Sequence, residues 1–91
     1  MSVRVQLPPV LRNVMGGERW LEAEGQSIAA AMQCLAGRHP ALGLHLFDEQ
    51  GALRHNIVFL HAGAMIRAKQ AAERKVSDGD EIVLTNALAG G

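Results

Sequence analysis

The sequence has few aromatic residues and no excess of charge of either sign. It contains one tryptophan, two phenylalanines and no tyrosine, so it lacks the stacking surfaces on which single-stranded nucleic acids usually bind. Nine Lys and Arg residues balance nine Asp and Glu residues, and no overall field draws the chain toward a polyanion or an anionic membrane. A nucleic-acid-binding role is therefore disfavoured.

Cysteine and long apolar runs are also scarce. The single cysteine, Cys34, excludes an internal disulfide and any metal site built from several thiolates. No stretch of 18 apolar residues is present, and the amino terminus lacks the apolar core of a signal peptide. We therefore expect a cytoplasmic protein that neither enters nor crosses a membrane.

What the chain does contain is aliphatic material. Hydrophobic residues make up 48% of its 91 positions, which is enough for one compact core and too little for two domains. A single small domain is expected.

The first quarter of the chain predicts two strands. Apolar and polar residues alternate over positions 3–7, and Pro8 and Pro9 follow, where we expect the strand to end. After the turn signal Gly16 and Gly17, residues 20–23 form a second short strand pattern. The two strands together predict a hairpin.

The clearest helix signal begins at Ser27, whose hydroxyl suits an N-cap. Apolar residues then recur with the spacing of one helical face, at Ile28, Ala31, Met32 and Leu35. Gly37 suits a left-handed terminal position, and Pro40 is expected to prevent continuation. The pattern predicts a helix of about ten residues.

The second half of the chain predicts mainly strands. Alternation over 44–47 and the apolar run at 57–60 each predict a strand, and 82–84 predicts the last one after a turn at 77–80. Residues 64–76 read as a loop that could contain one short helix. A helix lying across one face of a sheet gives an α+β fold.

No residue cluster predicts a catalytic or metal centre. Cys34 flanks the apolar helix face and reads as a half-buried small residue. The carboxylate pairs at 22 and 24 and at 78 and 80 suit a solvated strand and a turn. The four histidines lack the spacing of metal ligands, and Gly16 and Gly17 lack the sequel of a phosphate-binding loop. We expect no metal and no cofactor bound by this chain.

The sequence ends in Ala89, Gly90 and Gly91, and two glycines without side chains can enter a slot too narrow for other residues. In this ending and in several motifs the chain resembles the ubiquitin-like sulfur carriers of the MoaD/ThiS type, with the subgroup used in cysteine biosynthesis as the most similar in character. The matching positions include Leu7, Pro8, Leu11, Arg12, Gly25, Ser27, Asp48, Gly51, Leu53, Arg54, Gly63, Ile66, Arg67 and the run 78–81.

The resemblance implies a β-grasp fold over residues 1–85, with a mixed sheet and one main helix, and a flexible tail over 86–91. It further implies that an ATP-dependent activating enzyme of the MoeB/ThiF type adenylates the carboxylate of Gly91, which a sulfur donor then converts to a thiocarboxylate. ATP and the sulfur donor would be used by the partner, so the chain itself would be a co-substrate and not an enzyme.

The same resemblance gives roles to neighbouring residues and names further partners. Gly90, Ala89 and Leu88 would thread into the partner. Because interfaces generally pair an apolar centre with a polar rim, Phe59 and Arg67 are candidates for a docking surface, although burial in the core is the favoured role for Phe59 and a solvated surface charge is the favoured role for Arg67. A sulfur-accepting synthase would be the second partner, and a tail-trimming metalloprotease is a further candidate. Two alternatives remain open: a ubiquitin-like modifier conjugated through Gly91, and the small subunit of a molybdopterin-synthase-type complex.

Overall fold

A computed structural model describes residues 1–85. It contains five strands and three α-helices, whose bounds are as follows. The strands are β1 (Ser2–Gln6), β2 (Trp20–Glu24), β3 (Val58–His61), β4 (Ala64–Arg67) and β5 (Glu81–Thr85). The helices are α1 (Pro9–Val14), α2 (Ile28–Arg38) and α3 (Pro40–Leu46), and a 3-10 turn covers Ala68–Gln70.

The five strands form one mixed sheet in the order β2-β1-β5-β3-β4. The central strand β5 is parallel to its neighbour β1, and the other pairs of neighbouring strands are antiparallel. Helix α2 packs across one face of this sheet through Ile28, Ala31, Met32 and Leu35, which are all fully buried. The α+β class, with one main helix across a mixed sheet, is therefore confirmed.

Local patterning correctly predicted β1, β2 and α2, which supply a large part of the core. Val3 and Val5 are fully buried in β1, and Ala23 of β2 lies opposite Val3 on the same face. The Ser27 hydroxyl oxygen accepts a hydrogen bond of 3.1 Å from the Ala30 N–H, which confirms the N-cap. Gly25, just before it, approaches α2 so closely that a Cβ there would lie 2.7 Å from the Ala31 nitrogen.

The predicted end of the main helix was wrong in detail. Gly37 lies within α2, which runs to Arg38, and His39 caps it with a φ of −132°. Pro40 does not simply stop the chain, because it occupies the first position of the next helix, α3. A proline is tolerated there since the first turn of a helix needs no N–H donor from it. The same reasoning explains α1, which begins at Pro9 and was not predicted.

Two predictions for the middle of the chain were also wrong. The alternating residues of 44–47 belong largely to α3, which buries Leu42 and Leu46 four residues apart. Residues 64–67, predicted as loop, form strand β4, which pairs with β3 through a turn with positive φ at Ala62 and Gly63. The expected short helix corresponds to the 3-10 turn that follows.

Candidate functional site

The strand that leads to the end of the chain lies in the middle of the sheet. β5 runs between β1 and β3, and the Thr85 hydroxyl donates a 2.9 Å hydrogen bond to the Val58 carbonyl. The predicted tail residues Leu88, Ala89, Gly90 and Gly91 lie outside the described residues. The structure therefore fixes the point from which they start, at Thr85.

The sheet face turned away from α2 carries a continuous row of mostly apolar residues. The strand register aligns one residue from each strand, in the order Trp20, Gln6, Val83, Leu60 and Met65. Leu60 is 39% exposed and Met65 is 66% exposed, although both are large hydrophobic residues. We call these five residues the outer-face row. Exposed apolar surface of this kind, surrounded by polar groups, is typical of a protein-binding surface.

Charged residues lie on both sides of the outer-face row. On one side the register aligns Glu22, Arg4 and Glu81. A guanidinium nitrogen of Arg4 lies 3.2 Å from a carboxylate oxygen of Glu81, and the Arg4 guanidinium carbon lies 4.4 Å from the centre of the Trp20 ring. On the other side Arg67 is exposed on the edge strand β4. An apolar centre with a charged rim results.

The two predicted docking residues have different positions. Phe59 is fully buried on the inner face, opposite Leu84 and Ile66, which confirms the favoured core role and rules out the alternative role in docking. Arg67 lies exposed beside the outer-face row, and its docking role stays a prediction. Met65 was missed because β4 was not predicted, and without its register no residue of that segment could be assigned to a face.

A second polar cluster surrounds the buried His61, at the end of the sheet opposite to Thr85. Arg74 Nε donates to His61 Nδ1 over 3.0 Å, so the ring carries its proton on Nε2, which donates to Asp80 Oδ2 over 2.7 Å. Asp80 Oδ2 also accepts from the Ser77 N–H at 2.8 Å. These two hydrogen bonds, the one from His61 first, hold the pKa of Asp80 below its ordinary value of 3.8.

The polar cluster explains residues whose pairing the sequence did not reveal. Asp80 was expected to shape the turn at 77–80, and its bond to Ser77 confirms that role. Its contact with His61, 19 positions earlier, depends on β3 and β5 being neighbours. The Arg74 guanidinium also donates to the His61 carbonyl at 3.2 Å. Because the polar groups of His61, Arg74 and Asp80 are paired within the cluster, we interpret the cluster as one that stabilises the fold.

The remaining candidate raised by the sequence, Cys34, lies outside both the outer-face row and the polar cluster. The Cys34 sulfur accepts a 3.4 Å hydrogen bond from the Glu24 N–H and is half-buried. Within the described part of the chain, no group of three or more His, Cys, Asp or Glu residues is placed to hold a metal ion. Among residues 1–85, no helix is long and apolar enough to cross a membrane.

Comparison of the sequence with known proteins identifies a family. A model of the ThiS family matches residues 5–91. The sulfur carrier protein CysO of Mycobacterium tuberculosis is 26% identical over 93 residues, with 100% of both chains covered.

Two solved structures share the β-grasp fold of the chain. SAMP1, the small archaeal modifier protein 1 of Haloferax volcanii, superposes with a TM-score of 0.82 at 28% identity over 100% of both chains. The BexX/CysO complex of Amycolatopsis orientalis gives a TM-score of 0.78 at 28% identity, over 98% of this chain and 99% of the other.

Proposed function

The chain belongs to the ThiS family, and from that premise we propose that it is a sulfur carrier whose Gly91 carboxylate is adenylated and then converted to a thiocarboxylate. The observation that carries this proposal is that the family match runs through Gly90 and Gly91. The similarity to a sulfur carrier protein over the whole of both chains supports the same reading.

The chemistry needs a partner because a free carboxylate has no good leaving group. The Gly91 carboxylate oxygen attacks the α-phosphorus of ATP, and pyrophosphate leaves. Sulfide then attacks the acyl carbon of the adenylate, AMP leaves with the oxygen that joined it to that carbon, and the carboxylate has become a thiocarboxylate. The activating enzyme binds ATP and holds the reacting atoms in position, while the chain supplies the acyl group.

The tail length sets how close the partner must come. Six residues follow Thr85, and fully extended they reach at most about 20 Å. The domain therefore stays outside the active site while Leu88, Ala89 and Gly90 thread inward. Glycine at the last two positions avoids side-chain clashes in a narrow channel.

Docking is assigned to the outer sheet face. The outer-face row offers an apolar centre, Arg67 and Arg4 contribute charge at its rim, and β5 continues directly from this surface into the tail. An activating enzyme of the MoeB/ThiF type is the first partner. The sulfur-accepting synthase, and a tail-trimming metalloprotease, are proposed as later partners in the cytoplasm.

Pyrophosphate exchange tests the proposal. The full chain, the cognate activating enzyme and ATP should give exchange that depends on carrier concentration, and removal of Gly91 should abolish it. Met65→Ser should raise KM for the carrier about fivefold with kcat unchanged, because it removes contact area without touching the tail. An exchange rate that does not depend on the carrier would contradict the proposal.

Conjugation is the second candidate, because the similar structure from Haloferax volcanii is described as a modifier protein. The same activated Gly91 would then form an isopeptide bond with a lysine of a target. Branched peptides on host proteins would favour this function. Trypsin leaves a long remnant, since no Lys or Arg lies between Lys75 and Gly91, and a different protease is needed to detect them.

A further inference from the structure

Several elements meet at the end of the sheet where β5 finishes, at Thr85. β1 and β5 are parallel neighbours, so they finish at the same end of the sheet, and α1, which follows β1, begins there. β3 is antiparallel to β5, so the segment that precedes β3 also reaches this end of the sheet. A small cleft of about 100 Å³ lies there, with walls that include Pro8, Val10, His45, Ile57 and Thr85.

The two helices that contribute to the cleft walls, through Val10 and His45, each carry one large aliphatic side chain that is exposed. Val10 on α1 is 56% exposed, and Leu44 on α3 is 74% exposed. The core does not require either residue, because α1 is anchored by Leu11 and α3 by Leu42 and Leu46. We call Val10, Leu44 and His45 the exit surface. Its apolar side chains are available to a partner and contribute little to packing.

The exit surface lies in an acid-free part of the chain. Residues 1–17 and 25–47, which include α1 and α3, contain no Asp or Glu. Arg54 donates to the Leu44 carbonyl from Nε at 3.3 Å and from a terminal nitrogen at 3.1 Å, and Arg12 Nε donates to the Leu7 carbonyl at 2.9 Å. These guanidinium groups place positive charge beside the aliphatic surface, and the Asp48 carboxylate, which follows α3, interacts with Arg54 and offsets part of that charge. Complementarity calls for a partner with carboxylates around an apolar contact.

The exit surface is also continuous with the proposed docking face. Thr85 forms part of the cleft wall and is aligned with Val58 and Arg67 on the outer face. An enzyme that acts on Gly91 must bring its channel to within about 20 Å of Thr85. The mouth of that channel therefore meets the ring of residues around the point where the chain leaves the sheet.

We propose that the exit surface is a second docking contact, which binds the mouth of the tail-receiving channel of the activating enzyme. The enzyme is inferred to present an aliphatic side chain there, flanked by carboxylates. This inference rests on the proposed function and adds to it: the outer-face row holds the domain, and the exit surface aligns the tail with the channel.

The test uses the full chain and its activating enzyme in the pyrophosphate exchange assay. The double variant Val10→Ser/Leu44→Ser should raise KM for the carrier about tenfold, with kcat within about twofold of wild type. The matched control, Ala52→Ser/Ala72→Ser, changes two exposed apolar residues on the helix side and should leave KM unchanged.

A charge variant tests the second half of the inference. His45→Glu should raise KM about fivefold at low ionic strength, and the effect should fall as salt is added, because screening weakens repulsion between exposed charges. An unchanged KM in both the double variant and His45→Glu, with wild-type exchange intact, would overturn the exit surface and leave the carrier function standing. A defect confined to the later sulfur-accepting step would overturn it as well. Absence of exchange with the wild-type chain would instead remove the proposed function itself.

Discussion

At the end of the sheet where β3 turns into β4, a buried imidazole is held between a guanidinium and a carboxylate, whereas the end that leads into residues 86–91 carries a cleft and exposed aliphatic residues. The first end is formed by His61, Arg74 and Asp80, whose polar groups satisfy each other. At the second end, the side chains of Val10 and Leu44 are exposed and contribute little to the core. The residues that pair with one another therefore lie at one end of the sheet, and the proposed exit surface lies at the other.

Removal of Gly90 and Gly91 should have the largest effect on function and almost none on the fold. Carrier activity should be lost completely, because the chain would then end at Ala89. Its carboxylate would lie two residues short of the reacting position, next to a side chain that a narrow channel excludes. The midpoint of thermal unfolding should stay within about 2 °C of wild type, since these residues follow the last strand. Sulfur transfer and thermal unfolding measured on the same sample check both statements. Retained activity in the truncated chain would contradict every reading that depends on the tail.

His61→Ala should have the largest effect on stability. The substitution leaves Arg74 and Asp80 without their central partner and creates a cavity in a site where the His61 side chain is only 6% exposed. A loss of about 2 kcal/mol is expected, or roughly 10 °C in the unfolding midpoint for a domain of this size.

The exposed His55 offers a matched control, and His55→Ala should lie within about 0.5 kcal/mol of wild type. Equal effects of the two substitutions would show that the polar cluster around His61 does not stabilise the fold. Pyrophosphate exchange at a temperature where both variants are folded should remain near the wild-type rate.

The pH dependence of stability should change in Asp80→Asn. Because the folded pKa of Asp80 is held below 3.8, its ionised form stabilises the folded state fully above that value, and the contribution is lost as the pH falls through the folded pKa. The difference in free energy of unfolding between wild type and Asp80→Asn should therefore shrink on acidification below pH 3.8.

Urea unfolding at a series of acidic pH values measures this difference. Glu49→Gln, which removes one carboxylate from an exposed loop, serves as the charge-matched control. A difference that grows as the pH falls would show that the ionised Asp80 is not the stabilising form.

Leu44→Ser should have the smallest effect on stability. The side chain is 74% exposed, so little buried apolar area is lost, and the change in free energy of unfolding should stay within about 0.5 kcal/mol. Calorimetry on the purified variant checks this value. A loss comparable to that of His61→Ala would mean that Leu44 belongs to the core and would end its assignment to the exit surface.

Local sequence patterns predicted those elements whose burial has a clear period. The alternation in β1 and the spacing of Ile28, Ala31, Met32 and Leu35 in α2 are each visible in a short window, and both were confirmed. β4 was missed because only one of its four residues, Ile66, is buried, and its pairing with β3 depends on the turn at Ala62 and Gly63.

Helix α3 was misread for a related reason. Leu44 and Leu46 alternate with His45 and Phe47 as in a strand, yet the structure buries Leu42 and Leu46 and exposes Leu44, which suits a helix with contacts four residues apart. The apolar run at 57–60 correctly predicted β3 but could not assign its faces, so Phe59 remained a docking candidate beside its favoured core role, and Leu60 was overlooked. Register across neighbouring strands is non-local information, and the outer-face row depends on it entirely.

The most direct test of the carrier function is the intact mass of the full chain after incubation with its activating enzyme, ATP and sulfide. The mass of the product should increase by the difference between one sulfur and one oxygen, and no such product should form when Gly91 is absent. A chain that is adenylated or left unchanged, without ever gaining sulfur when all three components are present, would contradict the carrier function.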